Sequence, residues 1–364
     1  YEPSGRLDFR LSNRICLSAT AGGTVSKGNF PLQDGTVRIN NDIHQLRTGV
    51  DSWGTLEGGD WHAKAYFNGA QRGTPGSLSW PSSDRQKDRN AFLQGLVHKQ
   101  FTPLYMLSAS AKASCDDLLY ISEWGNSHYR QTGVQLNSSH KFGINRWFDA
   151  CAAADLQWDA LASDMYNAAR TNVLATATAA FHPGRFKADV ALEYSGTFDR
   201  GGAANSILSP SADLRWNALP GLDMTAFARR AYRTPTFNEL YYPGYGNPEL
   251  KAEDAWLTDL GLEFNRALGK RWRIQAKSDV FFNRLKNKII SAPTEADPNI
   301  WLPYNVGVVQ MAGADASTAL NYSGGIWKSS LHARYSYQNA TDRTPDSYSY
   351  GQQIPYVSKH SVCL

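Results

Sequence analysis

Apolar and polar residues alternate with a period of two along most of this chain. Phe148, Ala150, Ala152, Ala154, Leu156 and Trp158 occupy every second position, with Asp149, Asp155 and Gln157 between them. Phe186, Ala188, Val190, Leu192 and Tyr194 repeat the pattern against Lys187, Asp189 and Glu193. So do Trp272, Ile274, Ala276, Ser278, Val280 and Phe282 against Arg273, Gln275, Lys277 and Asp279. Successive side chains of a strand point to opposite faces, so this spacing predicts strands with one apolar and one polar face. Helical spacing fits these runs badly.

Residues 5–20 alternate through Leu7, Phe9, Leu11, Ile15, Leu17 and Ala19, and strands follow at about 41–53 and 60–70. Short connections are expected near Thr102-Pro103, Gly143-Ile144-Asn145, His182-Pro183-Gly184, Leu219-Pro220-Gly221, Gly269-Lys270 and Ser323-Gly324-Gly325. Longer polar segments interleave with them: Ser79–Asn90, Cys115–Arg130, Leu161–Arg170, Asp199–Ser206, Arg233–Ala255, Ile290–Gly307 and Asn339–Gln353. Short turns on one side and long loops on the other, over roughly 16 strands, are the layout of an all-β, antiparallel up-and-down transmembrane β-barrel.

Composition changes this picture little. The chain has 364 residues, 42% hydrophobic, with a formal charge of +4, and its mean hydropathy is −0.46. No apolar run is long enough for a transmembrane helix, but barrel strands raise no hydropathy peak. Basic residues are scattered, which disfavours a nucleic-acid partner. Cys16, Cys115, Cys151 and Cys363 form no CxxC pair, so a thiolate metal site is not indicated. Trp53, Trp61, Trp147, Trp216, Trp272 and Trp327 all fall near expected short turns. Indoles favour the headgroup region, and an aromatic girdle beside outer-membrane lipid is the expectation.

One stretch carries more specific information. Leu222, Met224, Ala226 and Ala228 share a face opposite Asp223, Thr225, Phe227 and Arg229 until Thr234-Pro235 breaks the strand. A long loop then holds two boxes, Tyr232-Arg233-Thr234-Pro235-Thr236-Phe237-Asn238-Glu239-Leu240-Tyr241 and Gly246-Asn247-Pro248-Glu249-Leu250-Lys251-Ala252-Glu253. In order and spacing they resemble the barrel signature of TonB-dependent outer-membrane transporters, in their cobalamin-receptor-like branch. Arg233, Pro235, Thr236, Phe237, Glu239, Leu240, Tyr241, Asn247, Pro248, Leu250 and Glu253 match it. Ala252 departs from it, standing where the family usually has proline. Arg72-Gly73-Thr74-Pro75-Gly76 adds a weaker likeness to the same branch.

The resemblance implies a complete relative of about 22 strands with an N-terminal plug, driven by the TonB complex of the inner membrane. Residues 1–364 then read as one partial barrel domain whose plug and last strands are missing; the opening Tyr1-Glu2-Pro3 and the closing Ser361-Val362-Cys363-Leu364 prompt that expectation. The implied function is active import of a scarce nutrient: a corrinoid such as cobalamin first, an iron siderophore second, haem third. Haem ranks last because no histidine lies from Arg233 to Glu253. A surface lipoprotein is a further candidate partner.

Trp124, Tyr241, Tyr242, Tyr245, Trp301 and Tyr304 are the candidates for the ligand-facing loops, being flat apolar groups, most with polar tips. Carboxylates gather at Asp116, Asp117 and Glu123, at Glu295 and Asp297, and at Asp342 and Asp346. The first group is the candidate for loop calcium, against the plainer reading of a solvated loop; no other cofactor is expected. The P-loop, zinc-protease, nucleophile-elbow and dinucleotide motifs are absent, so no catalytic residue is nominated and the chain reads as no enzyme. A passive porin or structural barrel, and a soluble all-β binding protein, are the alternatives.

Overall fold

The computed structural model describes residues 1–202, 204–294, 296–345, 347–354 and 357–363. Alternation becomes strand as expected. The first strands are β1 (Ser4–Ser12), β2 (Ile15–Ser26), β3 (Ile43–Leu56), β4 (Gly59–Gly73), β5 (Arg85–Thr102) and β6 (Tyr105–Ser122). Next come β7 (Gly125–Asn145), β8 (Phe148–Ser163), β9 (Asn167–Phe181), β10 (Phe186–Asp199), β11 (Ala204–Leu219) and β12 (Leu222–Arg233). A one-turn helix, α1 (Phe237–Tyr241), precedes β13 (Glu253–Leu268), β14 (Trp272–Pro293), β15 (Trp301–Gly324), β16 (Trp327–Asp342) and the short β17 (His360–Cys363). The described residues thus form 17 strands.

The chain divides into two compact units. Unit 1 is Tyr1–Phe142, Ala152–Ala175 and Gly196–Ser206. Within it, successive strands from β1 to β7 pair antiparallel. The register lines up Val50 with Ala65, Ala65 with Leu93, Leu93 with Ala113 and Ala113 with Val134 on one face. Unit 2 is Gly143–Cys151, Thr176–Ser195 and Ile207–Leu364. There β11 to β17 pair in sequence, and Leu214, Ala226, Leu260, Val280, Ala314 and Tyr337 form the corresponding row.

These apolar faces are wet in the isolated chain. Leu7 is 64% exposed and Leu260 is 62% exposed. Val190 and Leu192 are exposed, and no second sheet or long helix covers them among the described residues. The buried hydrophobic side chains there are only Ala70, Leu240, Val309 and Ala340. A soluble protein does not leave continuous apolar rows uncovered and do without a core, so the soluble alternative fails on burial. Hydrocarbon is the solvent these faces fit.

The opposite faces carry half-exposed polar groups in ladders. In unit 1, Gln45 Nε2 donates to Asn68 Oδ1 (2.7 Å), Asn68 Nδ2 to Asn90 Oδ1 (2.9 Å) and Asn90 Nδ2 to Asp116 Oδ1 (2.7 Å), stepping across four strands. Each amide is both donor and acceptor, so the row satisfies itself.

Several loop expectations are corrected. Cys115–Arg130 is almost wholly strand, β6 and β7 being joined by residues 123–124 alone. Leu161–Arg170 is likewise strand except for residues 164–166, and Asp199–Ser206 is strand from Ala204 onward. Arg85–Asn90 belongs to β5, and within Ile290–Gly307 the residues up to Pro293 and from Trp301 onward are strand. The ladder continues where strict alternation lapses, as in Leu118-Leu119-Tyr120-Ile121 beside Asp116-Asp117, because backbone pairing does not require an apolar-polar pattern. Residues 5–20 are also a hairpin, not one run. A two-residue turn at Asn13-Arg14 would switch the face of every later residue, but a bulge between Arg10 and Ser12 switches it back. The β11–β12 turn repeats the device, with a bulge after Asn217 and Gly221 at φ 83°.

All six tryptophans stand beside short turns, but they do not share a face. Register puts Trp61, Trp216, Trp272 and Trp327 with the apolar rows. Trp53 pairs with His62 on the face of Asp51 and Lys64, which removes it from the girdle. Trp147 lies in a turn, under the guanidinium of Arg146 at 4.2 Å.

Candidate functional site

The two boxes meet in unit 2. Leaving β12, the chain places Arg233 opposite Glu253, the first residue of β13. Arg233 donates through Nε to Glu253 Oε2 and through Nη2 to Oε1, both at 2.9 Å, and through Nη1 to Glu239 Oε2 at 3.1 Å. Glu239 comes from α1, which starts because Thr236 caps it. Thr236 Oγ1 accepts from the Glu239 N–H (3.3 Å), and Glu239 Oε2 accepts from the Thr236 N–H (2.7 Å). This reciprocal capping box is written in Thr236-Phe237-Asn238-Glu239, and the expectation of a plain loop overlooked it. Pro235 and Leu240 are buried beneath it, and the Phe237 ring stands 6.4 Å from that of Tyr241.

The second box ties this turn to the next hairpin. The Asn247 N–H donates to the Glu239 carbonyl (2.8 Å) and its Nδ2 to the Pro303 carbonyl (3.2 Å). Its Oδ1 accepts from the Glu249 N–H across Pro248, and its carbonyl accepts from the Leu250 N–H. The Lys251 N–H donates to Asn305 Oδ1 (2.8 Å), and the Ile289 N–H to Glu253 Oε1 (2.8 Å). Gly246 packs so closely that a Cβ would lie 2.7 Å from Tyr242 N and 2.8 Å from the Leu240 carbonyl. The signature is thus a clamp that fixes a long loop against the tips of β14 and β15, in place of a reactive centre.

Charge follows geometry. Burial raises both glutamates, but hydrogen bonds outweigh it: from Thr236 and Arg233 for Glu239, and from Arg233 and the Ile289 N–H for Glu253, leaving both below the usual 4.5. The Glu253 hydrogen bonds, and then those to Glu239, hold the Arg233 proton more tightly than usual despite burial. A neighbouring anchor uses Asp342, which is 3% exposed. It accepts from the Thr344 N–H (2.7 Å), Ser347 Oγ (2.8 Å) and Ser349 Oγ (2.5 Å). Burial pushes Asp342 up, yet these bonds hold it down to about 2.

The ligand-loop candidates are only partly brought together. Tyr241, Tyr242 and Tyr245 follow α1, and the Tyr245 hydroxyl meets Ser291 Oγ at 2.5 Å. Ser291 pairs with Pro303 and Pro293 with Trp301, so Tyr245 and Trp301 share a face. Tyr304, of opposite parity, lies on the other one. Trp124 belongs to unit 1, where it is 88% exposed on the β6–β7 turn.

The calcium candidates sit in and beside strands, not in a loop. Asp116 ends the amide ladder on one face. Asp117 points to the other, accepting from His128 Nε2 (2.9 Å) and Arg130 Nη2 (3.0 Å). Adjacent strand residues diverge, so these two do not converge on one ion. Glu123 lies in the two-residue turn. Among the described residues no group of three or more His, Cys, Asp or Glu side chains could hold a metal ion. Glu295 and Asp346 lie outside the described residues; Asp297 caps its own turn through Asn299.

A family model described as TonB dependent receptor-like, beta-barrel, matches residues 4–364. The chain belongs to that family. As a TonB-dependent receptor barrel it is a bacterial outer-membrane protein, and the face that hydrocarbon fits is accounted for. A vitamin B12 transporter from Photobacterium profundum is 29% identical over 102 residues, 28% of this chain and 16% of that relative. The FrpB iron transporter of Neisseria meningitidis superposes with a TM-score of 0.73 at 14% identity, covering 93% of this chain and 60% of that one. A copper transporter, OprC, does so with a TM-score of 0.74 at 14% identity, covering 94% and 61%. The chain therefore spans three-fifths of these structures, and its aligned stretch less than a fifth of the B12 transporter. The receptor barrel is shared; the cargo differs among relatives.

Proposed function

We propose that this receptor barrel serves active import of a corrinoid, cobalamin or a close analogue. An iron siderophore is the next cargo in order and haem the third. The observation that carries the choice is the clamped loop that bears Tyr241, Tyr242 and Tyr245, the last on the face of Trp301, together with the stretch of identity to a B12 transporter. Flat amphipathic rings on a fixed loop suit a large, semi-polar macrocycle at low entropic cost. Energy would come from the TonB complex acting through a plug domain, and a surface lipoprotein would assist capture. The role is transport rather than catalysis.

The test is direct binding to the full-length protein in detergent. The reading expects cyanocobalamin to bind tightly, with weakening in Tyr245→Ala and Trp301→Ala and little change in Tyr304→Ala. Tight binding of a ferric siderophore with no corrinoid affinity would reverse the order of cargoes.

A further inference from the structure

The β4–β5 connection and the β6–β7 turn of unit 1 border a cavity of about 500 Å³, a volume suited to a small ligand. Trp80 and Trp124 line it, with Ser82, Ser83, Asp84 and Glu123 supplying polar atoms. Trp80 is 79% exposed. Two bare indoles on one cleft are costly to leave in water, and neither has a packing role that explains it.

The floor of the cleft is built. Asn40 Nδ2 donates to the carbonyls of Ser82 (2.9 Å) and Asp84 (2.8 Å), and more weakly to that of Thr74 (3.4 Å). Tyr120 donates its hydroxyl proton to Asp84 Oδ2 at 2.6 Å, and the Asp84 N–H bonds Ser82 Oγ at 2.9 Å. The backbone N–H of Trp80 donates to Ser77 Oγ at 3.0 Å. The walls are therefore positioned while the ring faces stay open.

Among the described residues no lysine or arginine lines the cleft. The cations closest in sequence are engaged elsewhere: Arg38 with the Gly76 carbonyl (2.5 Å), and Arg85 with Asp42 (2.6 and 3.1 Å). What remains is two indole faces and two carboxylates. Indole is the aromatic face that attracts cations best, and the attraction grows as water leaves. We propose that this cleft binds an organic cation of the quaternary or tertiary ammonium class. Trp80 and Trp124 cover its alkyl shell, and Glu123 supplies the opposing charge. The site lies wholly within unit 1 and does not rest on the corrinoid reading, so either can fail alone.

The experiment titrates the full-length protein in detergent with choline, with its neutral isostere 3,3-dimethylbutan-1-ol, and with methyl glucoside, followed by tryptophan fluorescence and calorimetry. Choline should bind at least ~10-fold more tightly than the isostere. Trp80→Ala and Trp124→Ala should abolish the difference, and Trp80→Phe should keep part of it. Glu123→Gln should weaken choline several-fold and leave the isostere unchanged. Circular dichroism of each variant checks that the sheet is intact. Equal affinities for choline and the isostere, tighter binding of the glucoside, no binding, or indifference to Glu123→Gln would each overturn the proposal.

Discussion

Replacing Arg233 with alanine removes the cation that bonds both Glu239 and Glu253 and leaves the two carboxylates without it. Arg233 is 42% exposed at its side chain, against 20% and 17% for the two glutamates, so its bonds are partly screened. A two-point Arg–carboxylate contact of that burial, with a second carboxylate beside it, contributes about 2 kcal/mol to holding the loop down. The loss is local, because the ladders of β12 to β15 do not depend on it. Amide hydrogen exchange by mass spectrometry reads it. The N–H groups of Leu240, Tyr242, Gly246 and Asn247 are all bonded within the loop and should exchange about 30-fold faster in Arg233→Ala. Peptides from the middle of β13 and β14 should not change. The pH dependence has a fixed sign. Both glutamates are lowered in the folded protein, so their stabilisation is fully present above the usual 4.5 and disappears as pH falls through the lowered values. Unchanged loop exchange in Arg233→Ala, or loop release on raising pH from 5 to 8, would refute the clamp.

Other perturbations separate the faces and anchors. Gly246→Val should open the same loop as Arg233→Ala, since its side chain must displace the backbone at Leu240 and Tyr242; equal exchange would show that the loop adapts. Asp342→Asn removes a charged acceptor from three donors and should cost about 2 kcal/mol in local protection around Thr344, Ser347 and Ser349. Because hydrogen bonds lower its carboxyl to about 2, that anchor should hold at pH 4 and be lost as pH falls through about 2. Leu260→Lys should destabilise the protein in bilayers by about 2–4 kcal/mol in denaturant titrations, and Gln275→Lys on the polar face by far less. Equal effects would mean the two faces share one environment.

Periodicity in the sequence was enough for the strands and their faces, from Leu7 to Tyr337, because a membrane strand advertises itself through one greasy side. It failed where that side becomes wet. At Asp117, His128 and Arg130 the face that carries Ala113 and Val134 turns charged, and a continuing hairpin read as a loop. It also missed the Asn13-Arg14 turn, whose bulge restores parity, and so hid the β1–β2 hairpin. Within the loops the failure was different. Thr236 and Glu239 announce a capped turn, but nothing local says that Arg233 reaches Glu253, or that Asn247 reaches Pro303, 56 positions away. Trp80 went unremarked for the same reason: its partner across the cleft is 44 positions on, at Trp124.

The most direct check of the account is a cysteine scan of residues 257–264 in bilayers, with the four native cysteines replaced by serine and a spin label at each position. Oxygen should reach the labels at the even positions, 258, 260, 262 and 264, and a water-soluble nickel complex should reach those at the odd ones. Even positions shielded from both reagents, as in the interior of a soluble sandwich, would contradict it.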